Sequence, residues 1–122
     1  MTIKSYVLTA TADSSGDGTA TTPGIVKGKL VSVRVNYPAA TATVDLDTVG
    51  FPITQKLMDL AAANTDATYY PMVDLVDETG AAVEYASGYP IRGQFVIDDY
   101  IKLTIASGTS TQEVSVMVTV DE

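Results

Sequence analysis

The chain has 122 residues, 46% of them hydrophobic, with Lys+Arg 7 against Asp+Glu 15 and a formal net charge of −8. That apolar share, in a chain of single-domain size, supports a packed core and argues against disorder, while the acidic balance has the wrong sign for neutralising phosphates and excludes binding to nucleic acid or an anionic membrane surface. The absence of Cys and His removes disulfides, thiolate chemistry, the commonest acid–base side chain and nearly all transition-metal sites.

Alternation of apolar and polar residues dominates from the start of the chain. Ile3 to Ala12 is rich in Thr, Val and Tyr and ends at the turn cluster Asp13-Ser-Ser-Gly-Asp-Gly18, which reads as a strand and its turn. Thr19 to Thr22 is a short Thr-rich piece before Pro23-Gly24. Lys29 to Tyr37 is the clearest strand, with Val31, Val33, Val35 and Tyr37 on one face and Ser32, Arg34 and Asn36 on the other, the period of two of a half-buried strand. Thr41 to Val49 repeats it, Val44 and Leu46 against Asp45 and Asp47.

Ile53 to Ala63 is open between two readings. Its Leu, Met and Ala residues have good helix propensity, and Ile53, Leu57, Leu60 and Ala61 share a helical face, yet its length and β-rich neighbours favour a strand. Residues 64–72 read as a loop into an X-Pro turn. Met72 to Asp77, Ala81 to Ala86 and Ile91 to Ile97 read as strands separated by Glu78-Thr-Gly80 and Ser87-Gly-Tyr-Pro90. Tyr100 to Ala106 turns Ile101, Leu103 and Ile105 one way. Val114, Val116, Val118 and Val120 repeat that pattern after Ser107-Gly-Thr-Ser-Thr111, so the last two strands read as a hairpin with a longer loop. The chain is thus expected to form one all-β domain over residues 1–122. Its architecture is read as a β-sandwich or jelly roll of seven to nine short, mostly antiparallel strands.

No motif points to catalysis. Asp13-Ser-Ser-Gly-Asp-Gly18 looks like the opening of a calcium loop, but such loops close with a carboxylate at the twelfth position, here Gly24; a hairpin turn is the simpler reading. Asp45 and Asp47 share a strand face, as paired carboxylates of a glycosidase do, yet an alternating acidic face is ordinarily solvated. No phosphate loop and no G-x-S-x-G are present. No enzyme activity, metal or cofactor is expected. Met1-Thr-Ile-Lys-Ser-Tyr6 lacks the apolar core of a signal peptide, and no apolar run reaches the roughly 18 residues of a membrane helix; synthesis in the cytoplasm is expected.

Tyrosine placement is the informative feature. Tyr69, Tyr70, Tyr85 and Tyr89 fall in or beside predicted loops, where an apolar ring with a polar tip suits either a lid on the core or a protein interface. Ile3 and Tyr6 join them as interface candidates. Residues 1–5 precede any turn and are expected as an extended arm able to add to a neighbour's sheet.

Six segments together resemble small structural proteins of tailed phages and prophages: Ile3-Lys-Ser-Tyr-Val-Leu-Thr9, Ser15-Gly-Asp-Gly-Thr-Ala20, Gly28-Lys-Leu-Val-Ser-Val-Arg-Val-Asn-Tyr37, Ala67-Thr-Tyr-Tyr-Pro71, Thr79-Gly-Ala-Ala82 and Tyr100-Ile-Lys-Leu-Thr-Ile-Ala-Ser-Gly108. Proteins of this kind are similar to head decoration, or cement, proteins. The resemblance implies a β-sandwich subunit on the capsid exterior of a virion, bound to the major capsid protein and assembled as a homo-oligomer, a trimer by preference. It carries over no catalytic residue. A tail, baseplate or fibre-associated module that binds a receptor carbohydrate or joins tail parts is the alternative, and a lipocalin-like carrier is a third reading.

Overall fold

A computed structural model describes residues 2–37, 41–50 and 54–122. No described residue is helical. The strands are β1 (Ile3–Thr11), β2 (Gly18–Thr21), β3 (Val26–Asn36), β4 (Ala42–Thr48), β5 (Lys56–Ala63), β6 (Ala67–Tyr69), β7 (Met72–Asp74), β8 (Glu84–Ala86), β9 (Tyr89–Pro90), β10 (Arg92–Gln94), β11 (Val96–Asp99), β12 (Ile101–Ala106) and β13 (Glu113–Asp121). This exceeds the expected count because the stretch after β5 divides into pieces of two to four residues. The ambiguous segment resolves as strand from Lys56 to Ala63; Ile53 lies outside the described residues.

Two antiparallel sheets face each other. One has the order β1-β13-β3, with β11 and β6 sharing the outer side of β3; the other is β2-β12-β4-β5. The apolar residues of period two meet between them: Val114, Val116, Val118 and Val120 from β13, Val33 and Val35 from β3, Ile101, Leu103 and Ile105 from β12, and Val44 and Leu46 from β4 are all buried. Burying such side chains removes about 1.5–3 kcal/mol worth of apolar exposure each, and this layer is the molecule's only large store of that energy among the described residues.

Two expectations change. β12 and β13 do not form a hairpin: β12 pairs with β2 and β4, and β13 pairs with β1 and β3. Two consecutive strands with matching apolar faces can pair side by side or face each other across a core, and periodicity is blind to the choice. The connecting loop makes the crossing with Ser107 at φ 57° and Thr111 at φ 66°. On β3, the pairing with β13 shifts register between Thr119 and Val120, so Leu30 is buried in place of the expected Val31. A bulge inserts one residue and reverses the facing of everything before it.

The expected N-terminal arm is also corrected. Ile3, Lys4 and Ser5 pair with Asp121, Val120 and Thr119 of the same chain, so this segment is the opening of β1. Its own sheet holds it because its outward Ser and Thr residues bond across the ladder, Ser5 Oγ to Thr119 Oγ1 at 3.1 Å and Thr9 Oγ1 to Ser115 Oγ at 3.0 Å.

The outer margin of β3 is closed in stages. Val26 to Lys29 pair with β11, Leu30 N–H donates to Phe95 O at 2.9 Å, Val33 to Val35 pair with β6, and Tyr37 N–H donates to Asp66 Oδ1 at 2.8 Å. At this same end of the sheet, where β1 and β3 both meet the start of β13, Asp13 Oδ1 accepts from the N–H groups of Ser15 and Asp17 at 2.8 and 3.1 Å. Gly16, at φ 85°, packs where an added Cβ would meet Gly108 O at 2.3 Å, and Gly108 N–H donates to Gly16 O at 3.0 Å.

Leu103 lies fully buried between Ala20 and Leu46, so Leu103→Ala is expected to cost about 2–5 kcal/mol in urea unfolding. Gly16→Ala combines left-handed backbone with a collision and is expected to cost about 1–3 kcal/mol or more. Tyr85→Ser, outside the core, is expected to stay within about 0.5 kcal/mol of the parent. Equal losses for Leu103 and Tyr85 variants would contradict this division of the fold.

Candidate interaction surface

Between β6 and β11 the chain leaves the sandwich. Residues 64 to 94 contain no buried residue, and burial resumes at Phe95. The excursion is nevertheless regular. β7 pairs with β10 through Arg92↔Asp74, Gly93↔Val73 and Gln94↔Met72. β8 pairs with β9, and Val76 bridges to Ala82.

At its centre three backbone segments bond in a ring. Leu75 N–H donates to Ile91 O (2.9 Å), Ile91 N–H to Val83 O (2.8 Å) and Val83 N–H to Leu75 O (2.9 Å). The arm is thus held by main-chain pairing in place of a hydrophobic core.

Its turns are built from side-chain acceptors. Asp77 Oδ1 accepts from Thr79 Oγ1 at 2.6 Å, Thr79 N–H at 2.8 Å and Ala81 N–H at 3.1 Å. The Thr79 hydroxyl first, and then these backbone donors, hold the Asp77 carboxyl below its ordinary range. Glu84 Oε2 accepts from Gly88 N–H at 3.0 Å. Arg92 Nε donates to Asp74 Oδ1 at 2.8 Å with both partners exposed, a geometry that orients side chains more than it stabilises.

The apolar side chains of this arm face water. Tyr70 is 68% exposed, Tyr85 73% and Tyr89 58%, and Met72, Val76 and Ile91 are also exposed. Tyr85 and Tyr89 rings lie 5.6 Å apart, tilted by 34°, so the Ser87-Gly88 turn presents an aromatic pair. Tyr70, Met72, Val73 and Phe95 line an open groove of about 700 Å³ together with the Asp74–Arg92 pair and with Gln55 and Lys56 around the start of β5. Among the described residues, seven of the thirteen exposed large hydrophobics fall between Tyr70 and Ile91. That concentration, more than any single residue, singles the arm out, since isolated exposed apolar side chains are normal on protein surfaces.

The six residues singled out from sequence separate into three groups. Tyr70, Tyr85 and Tyr89 are exposed on the arm. Tyr69 and Tyr6 are half-buried and pack against the core, as lids do. Ile3 is exposed on β1, at the opposite margin of the sheet from β6 and β11, so the N-terminal pair and the arm tyrosines are not brought together. Met72, Val76 and Ile91 were not singled out, because a β-pattern normally implies that its apolar face is covered. The available signal was that the pieces between residues 72 and 94 are too short and too rich in Asp, Glu and Gly to build a layer of core.

The acidic face on the second sheet has one unusual member. Asp45 on β4 stands opposite Asp59 on β5, with Lys56 Nζ 3.8 Å from Asp45 Oδ1 and 3.7 Å from Asp47 Oδ1. Burial first, and then the Asp59 and Asp47 carboxylates, push the Asp45 carboxyl above its ordinary range despite the lysine. The carboxylates line a β-ladder with a shared cation, an arrangement that spreads charge along a half-buried face.

Compared with known proteins, the chain matches no family model, no curated protein and no solved structure.

A carboxyl whose pKa is higher in the folded state than in the unfolded chain opposes folding when ionised. Asp45→Asn is therefore expected to raise Tm by a few degrees at pH 7. The gain shrinks as pH falls through the raised folded-state pKa and vanishes below the ordinary value of 3.8. Thermal melts of both chains from pH 7 to pH 3 check this; a gain that is constant with pH would remove the electrostatic cause.

Proposed function

We propose that this protein acts by contact and not by catalysis, as a structural subunit that decorates and stabilises the head lattice of a tailed phage. One observation carries the reading: an ordered arm of residues 70–91 presents tyrosines and aliphatic side chains to solvent with no core of its own. Ordering each residue costs roughly 1–2 kcal/mol of conformational entropy, and apolar surface gained on docking offsets that cost. Tyr is favoured at interface centres because its large ring loses little freedom on binding.

The resemblance to phage head proteins supplies the partner class, the major capsid protein. The chemistry of the arm fits a protein surface, since its acidic residues (Asp74, Asp77, Glu78 and Glu84 against Arg92) favour a partner patch with basic groups around apolar recesses. On a capsid the contact repeats by symmetry, so a modest interface suffices.

Quantitative mass spectrometry of purified virions is expected to find this chain at a copy number comparable to the major capsid subunit. A handful of copies per particle would move it to the tail or baseplate, and absence from virions would discard the reading. Replacing Tyr70, Tyr85 and Tyr89 with Ser is expected to weaken binding to undecorated particles by more than about thirtyfold, the effect of losing a single hot-spot tyrosine worth about 2 kcal/mol, with Tm unchanged. Undiminished binding would clear the arm of this role.

A further inference from the structure

The free margins of the two sheets are not treated alike. β2 is a strand of four residues. β5 begins with Lys56 and its pairing with β4 shifts register twice. The outer side of β3 is covered by β11, Phe95 and β6. Short length, bulges, lysines and covering segments are the devices by which proteins keep sheet margins from pairing with other chains.

β1 uses almost none of them. It runs for nine residues in unbroken register with β13, without Pro, Gly or acidic residue. Its single charge, Lys4, is engaged with Glu122 Oε2 at 2.9 Å. No described strand pairs with its other side. Two apolar side chains on its outward face, Ile3 at 55% and Val7 at 67%, stand exposed.

From this we propose that β1 is a self-association strand: two copies of the chain pair β1 against β1 in antiparallel register about a two-fold axis at Val7, joining their sheets into one. Residues directly opposite in an antiparallel pair share a face, so the two strands must pair odd with odd positions to keep Leu8 and Ala10 toward the core. Centring on Val7 does this. Val7 then meets its own mate, Ser5 meets Thr9, Tyr6 meets Leu8 and Lys4 meets Ala10.

The outward Ser5 and Thr9 already form hydroxyl pairs with Thr119 and Ser115, and the same chemistry continues across the axis. A two-fold axis crossing the strand pair makes the pairing antiparallel. The middle of the strand, Ser5 to Thr9, is uncharged in a protein of net charge −8, and two copies can approach there without repulsion. This contact is closed and isologous, a dimer where the resemblance to decoration proteins implies a trimer, and it does not depend on the capsid reading.

Sedimentation of the full-length chain at micromolar concentrations is expected to give twice the 12.8 kDa of one copy. Val7→Lys and Val7→Glu each place like charges face to face on the axis, which is destabilising, and each is expected to sediment as a folded monomer. Mixing the two is expected to restore the dimer.

Val7→Cys, in a chain without cysteine, is expected to form a covalent dimer on mild oxidation. Thr9→Cys, which faces Ser5 of the other copy, is expected not to. A parent chain that stays monomeric, a threefold mass, or a dimer indifferent to residue 7 would overturn the proposal. Circular dichroism of each variant separates loss of pairing from loss of fold.

Discussion

The sandwich hangs on one constraint: the two sheets must close on each other over an apolar layer, which among the described residues admits only Thr22, Thr48 and Gln112 as buried polar side chains. β13 meets it without exception, with Val114, Val116, Val118 and Val120 buried and Glu113, Ser115, Met117, Thr119 and Asp121 turned outward. β12 and β4 meet it from the other side through Ile101, Leu103, Ile105, Val44 and Leu46. Because strands alternate at a strict period of two, the same positions that make the core also decide the surface. The outward face of one sheet becomes a Ser/Thr ladder and that of the other a row of Asp residues tempered by Lys56. Even the raised Asp45 carboxyl follows from this, since its place in the sheet partly buries it and the pairing of β5 beside β4 then sets Asp59 opposite it.

Where this constraint operates, the strands were legible in the amino-acid sequence. The spans of β1, β3, β4, β12 and β13 follow from apolar alternation and from turn chemistry at Asp13–Gly18. What alternation lacks is any record of partnership. Val-rich β13 and Ile/Leu-rich β12 read as neighbours because they are adjacent in the chain, yet they oppose each other across the core. The bulge that buries Leu30 in place of Val31 is equally silent, since an inserted residue leaves no compositional trace. The Lys56–Ala63 strand was ambiguous because Leu, Met and Ala satisfy both periods, and the pairing with β4 decides it.

The candidate surface was legible in part, for a related reason. Tyr70, Tyr85 and Tyr89 stand out through their place in or beside loops, and they are exposed; Tyr69 stands out in the same way and Tyr6 through its place near the N-terminus, and both pack on the core. Neighbouring tyrosines such as Tyr69 and Tyr70 differ only in which side of an extended backbone they occupy. The arm escapes the rule that shapes the sandwich. Its order rests on the ring of backbone bonds among Leu75, Val83 and Ile91 and on the Asp77 and Glu84 turns, and so its apolar side chains remain available.

The two unpartnered surfaces occupy opposite margins of one sheet, β1 on one side and the arm beyond β6 and β11 on the other. That separation has a mechanical consequence. Pairing through β1 would leave both arms uncovered and related by the two-fold axis, so the pair would carry two copies of the same docking element at a fixed spacing. A second docking event then becomes intramolecular, and its effective concentration is set by rigid sheet geometry in place of a flexible linker. Two contacts too weak to hold singly can then hold together, but only on a partner that repeats its own surface at a matching distance, as an ordered lattice does. The selectivity for an assembled lattice over a free partner subunit would come from the spacing between arms, with no need for a tight individual contact.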